Sequence, residues 1–143
     1  MSDGDAGRPP WMRAALLVGV VYFVAGVTFA ALAGRAESHR MVVTWRLAAW
    51  VISAAAFALH IGYEHVRGRS SARTTAWRAA LAAALGAFGL AVAANVHALA
   101  ASSRQHSLAH VLSLILWPVM TALPAFLVAW AAAAGLSLVR RGD

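Results

Sequence analysis

Long apolar stretches alternate with short polar ones along this chain. Residues 1–10 are polar, carry Asp3, Asp5 and Arg8 and end in Pro9-Pro10, which predicts a short flexible tail. Across residues 11–33 the only charge is Arg13, and about 20 helical residues already cover the roughly 30 Å of a bilayer's hydrocarbon. A first membrane span is therefore expected there. A turn holding Arg35, Glu37, His39 and Arg40 separates it from a second span over 41–63, apolar apart from Arg46 and His60. Residues 64–73 are basic, with Arg67, Arg69 and Arg73 around a Gly68 and Ser70-Ser71 break, and predict a loop in water or among headgroups.

The third apolar run, 76–101, is almost wholly Ala, Leu, Gly and Val, interrupted by Arg78 near its start and by Asn95 and His97 near its end. After a polar turn, residues 108–139 are again apolar, more than a membrane needs, with Pro118 and Pro124 inside and Arg140-Arg141 after them. A kinked or tilted fourth span follows. The pattern as a whole predicts an all-α integral membrane protein, a single domain over 11–143 built as a bundle of four transmembrane helices.

Composition agrees with that pattern. Of 143 residues 62% are hydrophobic and 12% charged, where soluble domains are nearer about a quarter charged, and the mean hydropathy is +0.70. Four spans use nearly all the length, leaving no room for a soluble catalytic domain. Cysteine is absent, which removes disulfides, thiolate metal sites and thiol nucleophiles. No phosphate loop, serine-nucleophile elbow or paired carboxylate is present either, and the expectation is a protein that is not an enzyme.

The net charge of +7 comes from twelve arginines without a lysine. They lie between apolar runs and do not form one basic face, which fits membrane anchoring and argues against nucleic acid. With four spans the termini share a side, and that side collects Arg8, Arg13, Arg67, Arg69, Arg73, Arg78, Arg140 and Arg141 against Arg35, Arg40, Arg46 and Arg104 opposite. The positive-inside rule then makes both termini cytoplasmic. Trp11, Trp45 and Trp77 each begin a span, where an amphipathic ring prefers the headgroup level. The bias toward Ala, Arg, Gly and Val suggests a bacterial source, hence a bacterial inner membrane. Ala31-Leu32-Ala33 resembles a signal-peptidase site, but the apolar core before it is longer than a signal core, and the first span is expected to be retained.

Polar residues inside the spans are the candidate chemistry. Arg46, Trp50, Ser53, Phe57, His60 and Glu64 are spaced 4, 3, 4, 3 and 4, so they form one stripe on the second helix. A charge facing lipid at mid-bilayer costs about 2.5 to 3.5 kcal/mol, so the stripe is expected to face other helices or water. The bland account is that Arg46 and Glu64 snorkel to opposite interfaces. The functional account is a proton or cation conductor using Arg46, Ser53, His60 and Glu64, since His60 and Glu64 are one turn apart and a carboxylate at that spacing orients an imidazole.

A second stripe on the fourth span holds His106, His110, Ser113, Trp117, Thr121 and Pro124. Across the hairpin between spans three and four, His97 and His110 should lie at one depth. Asn95, His97, His106 and His110 could thus form a polar layer in the outer leaflet, although Asn95 and His97 are about 200° apart on their helix and at most one faces a common centre. No cofactor is predicted; a haem or a metal ion held by these histidines is the redox alternative. Ala15, Gly19, Gly26 and Ala30 share a side of the first span and predict a close helix contact, with Gly86 and Gly89 doing likewise on the third. The expected function is that of a non-enzymatic subunit or accessory protein in the lipid bilayer, working as a homo-oligomer or with other membrane subunits.

Overall fold

The structure, a computed structural model, describes residues 9–68, 71–100 and 108–139. These form four helices, α1 (Pro10–Gly34), α2 (His39–Gly68), α3 (Ala72–Ala100) and α4 (Leu108–Val139), and no strand among the described residues. All four are long and apolar enough to cross a membrane. The all-α four-helix architecture expected from the hydropathy pattern is the fold observed.

The helices overrun the apolar boundaries read from the sequence. α2 continues past residue 63 to Gly68, and α3 begins at Ala72 instead of 76. Hydropathy marks where lipid ends, whereas a helix continues until its backbone finds another partner. Two serines supply such partners. Ser38 Oγ accepts from Met41 N at 3.3 Å ahead of α2, and Ser71 Oγ accepts from Thr74 N at 3.2 Å ahead of α3. α1 starts differently, with Pro10 at its first position, where the missing N–H costs nothing.

Neighbouring helices run antiparallel and α1 runs parallel to α3. Phe29 of α1 meets Trp45 of α2, Trp77 of α3 meets Phe126 of α4 edge to face, and Tyr22 of α1 lies against Gly86 of α3. Among the described residues α3 touches each of the other three helices, while α1 and α4 do not touch. One end of the bundle, here called the terminal end, therefore gathers the start of α1, the end of α2, the start of α3 and the end of α4.

The reason α3 can be central lies in its side chains. Ala76, Ala79, Ala80, Ala82, Ala83, Ala87 and Ala91 are all buried, and small residues let backbones approach in lipid, where burial of apolar surface supplies no drive of its own. Against α1 the contact is a set of notches. A Cβ on Gly86 would sit 2.5 Å from Cδ1 and 2.8 Å from Cβ of Tyr22, and one on Gly89 would sit 2.8 Å from Phe23 Cδ2. In the other direction, a Cβ on Gly26 would lie 2.7 Å from a Leu90 methyl, and one on Gly19 would lie 3.2 Å from the Ala82 carbonyl oxygen. Ala15 is also buried, whereas Ala30 is exposed. The close α1 contact thus involves Ala15, Gly19 and Gly26 but stops short of Ala30.

Gly86→Ala is expected to destabilise the fold by about 1 to 3 kcal/mol, because Tyr22 Cβ cannot retreat without moving α1. Gly62 has nothing within 4 Å of an added Cβ, so Gly62→Ala should be neutral or stabilising by about 0.5 kcal/mol. Reversible unfolding in mixed micelles, followed by circular dichroism, measures both.

Candidate functional site

The interior holds little but alanine until the terminal end, where polar groups converge. His60 is 4% exposed, Glu64 2% and Thr75 0%, and Thr75 is the largest fully buried side chain. Arg78 Nη1 donates to Glu64 Oε2 at 2.5 Å. On its other side the Arg78 guanidinium carbon lies 5.1 Å from the centroid of the Trp11 ring, within cation–π range. One arginine of α3 thus binds a carboxylate of α2 and an indole of α1.

Helix geometry accounts for this meeting. Ser71 stands midway between Glu64 and Arg78 in the chain, so in an antiparallel hairpin the two come to the same depth. Arg78 is six residues into α3, roughly 9 Å at 1.5 Å per residue. The pair therefore sits below the helix ends but far from the middle of a bilayer. Beside it, His60 Nε2 and Thr75 Oγ1 are buried and have no hydrogen-bond partner. A buried polar atom without a partner costs about 1 to 3 kcal/mol.

Of the stripe expected to face inward on α2, only part does so. His60 and Glu64 are buried, Ser53 and Phe57 are half-buried, Arg46 is exposed and Trp50 is 77% exposed. The difference runs along the length of the helix. α2 meets α1 near its start, through Trp45 on Phe29, and again where Ala56 to Tyr63 run beside residues 13–18, but its buried residues are His60, Ile61 and Glu64, all near its end. Arg46 lies on the perimeter of the single chain.

The outer polar layer is likewise not assembled among the described residues. Asn95 is half-buried, and its Nδ2 donates to Ser113 Oγ at 3.1 Å and to the Ala91 carbonyl at 2.7 Å, linking α3 to α4. His97 is exposed. His106 and the side chain of His110 lie outside the described residues. Further along α4, Thr121 Oγ1 donates to the Trp117 carbonyl at 2.8 Å, and the helix continues through Pro118 and Pro124. Among the described residues no three of His, Asp and Glu come together in a way that could hold a metal ion.

A groove of about 550 Å³ adjoins the polar cluster, between the first half of α1 and the second half of α2. Ala14 and Ala56 make it hollow and Leu17 and Leu59 stand as ridges, while Arg13, His60 and Tyr63 also line it. Sequence reasoning missed Arg78 as the partner of Glu64 and missed Thr75 altogether. The signal for Arg78 was available, because the equal-depth argument applied to His97 and His110 also holds about Ser71. Thr75 carried no comparable signal.

No known protein family, curated protein or solved structure matches this chain.

The Glu64–Arg78 pair is expected to hold the terminal end together. Arg78→Met should destabilise by about 3 kcal/mol, the low end for removing one partner of a buried pair since Arg78 keeps some exposure. Pairing it with Glu64→Gln should recover most of the loss. A double-mutant cycle measured by the same unfolding assay reads the coupling directly, and additive effects would show the contact to be idle.

Proposed function

We propose that the chain is a small non-enzymatic subunit or accessory protein of a membrane assembly, inserted in a bacterial cytoplasmic membrane with both termini on the cytoplasmic side. The observation that carries this reading is the use of its buried charges. Glu64 and Arg78 are spent on each other and on Trp11, tying three helices together, and from there to the Asn95–Ser113 link the buried residues of α3 are alanine and glycine. Such an interior suits a scaffold. The outer half of α2 meets α1 through Trp45 and Phe29 but has no buried residue from 39 to 59, and Trp50 is 77% exposed, which favours an oligomer or a complex with other membrane subunits. The excess of arginines on the side of the termini supports the orientation.

A second reading is a proton or cation conductor through Arg46, Ser53, His60 and Glu64. It is favoured by one observation, the buried and unpartnered Nε2 of His60 one turn from Glu64. The exposed position of Arg46 weighs against a route that continues to the far side.

Purification in mild detergent after cross-linking in native membranes tests the first reading. Recovery in a complex larger than the 15.0 kDa chain is the expected result, and a lone monomer would overturn it. Reporters fused after Asp143 and inserted near Glu37 should read cytoplasmic and external respectively. Proteoliposomes carrying a pH-sensitive dye separate the second reading: the scaffold predicts equal flux in wild type, Glu64→Gln and empty vesicles, whereas a conductor loses its flux in the variant.

A further inference from the structure

The geometry points to the α1–α2 groove at the terminal end as a binding site for an anionic phospholipid. The hollow of about 550 Å³ faces outward from the bundle between the exposed ridges Leu17 and Leu59 and is floored by the small side chains of Ala14 and Ala56. From Ala56 to Tyr63 it follows α2 for seven residues, roughly 10 Å, the stretch of an acyl chain next to its glycerol. Inside a bilayer such a hollow is filled by lipid tails, and tails alone distinguish nothing, since lipid is as apolar as the wall. Discrimination has to come from the headgroup end.

That end is positive. Arg13 lines the mouth, exposed, in the first turn of α1, where the helix dipole adds further positive potential. The described residues contain two carboxylates, Glu37 at the opposite end and Glu64, which Arg78 holds at 2.5 Å. Among the described residues, then, no carboxylate neutralises Arg13. Tyr63 stands across the mouth from it, a residue type suited to the headgroup level. A basic mouth above an apolar slot is matched by a phosphodiester headgroup without a compensating amine, and such pockets between transmembrane helices select anionic lipids. The site does not depend on whether the chain is a scaffold or a conductor.

Native mass spectrometry of the full-length chain, stripped of lipid in detergent and given an equimolar mixture of phosphatidylglycerol and phosphatidylcholine, tests the assignment. Wild type is expected to retain phosphatidylglycerol over phosphatidylcholine by about five-fold, the ratio one arginine contributes toward an anionic headgroup. Arg13→Ala should bring the two lipids to parity and Arg13→Lys should keep the preference. Arg73→Ala, an exposed arginine at the same end of the bundle, should also keep it. Ala56→Phe, which fills the hollow, should lower retention of phosphatidylglycerol with helicity unchanged by circular dichroism. Should Ala56→Phe not fold, the comparison of Arg13→Ala with Arg73→Ala decides by itself. Equal retention of both lipids by wild type, or an unaltered preference in Arg13→Ala, would mean unselective annular lipid and overturn the proposal.

Discussion

The close approach of α3 to its neighbours is the constraint on which the rest of this structure depends. A helix surrounded by three others has no room for branched or aromatic side chains on several faces at once, and α3 meets that demand with alanine and glycine. In lipid the gain comes from dispersion between near backbones, because apolar burial is no better than remaining among tails. Bulk is moved to the partners. Tyr22 and Phe23 of α1 fill the notches at Gly86 and Gly89, while in the reverse sense Leu90 of α3 fills the notch at Gly26 of α1, so the α1–α3 register is set by shape and not by polar contacts.

Polar contacts take over at the two ends. Asn95 joins α3 to α4 through Ser113, and Arg78 joins α3 to α2 and α1 through Glu64 and Trp11. An ion pair removed from water loses hydration that its mutual attraction only partly restores. Placing the pair within roughly two turns of the helix ends keeps that loss smaller than at mid-membrane. His60 and Thr75 share the neighbourhood without sharing the bonds, and His60 also lines the groove between α1 and α2.

The fold was legible from hydropathy because each span is a continuous apolar run, and the four helices observed overlap all four runs. Side-chain placement was legible only in part. The 3.6-residue period assigns an azimuth, and Arg46 and Glu64 share one, yet Glu64 is buried and Arg46 exposed. Packing against other helices decides between them, Glu64 meeting Arg78 of α3 while Arg46 meets no buried surface, and a one-helix pattern does not contain it. Ala30 differs from Gly26 for the same reason: the shared side continues along α1 after the contact with α3 has ended. The Glu64–Arg78 meeting needed only the hairpin symmetry about Ser71, a relation between two helices.

The chain order of these contacts bears on how the protein is made. A ribosome releases α1 before α2, which then finds it as a neighbour; α3 finds both, and α4 finds α3 and, more slightly, α2. Each helix on entering the membrane meets a partner already there, and α4 has no need of α1. Glu64, however, emerges fourteen residues ahead of Arg78. During that interval its carboxylate has no countercharge from α3, so the α2–α3 hairpin is the smallest unit that can settle into lipid with both of these charges matched.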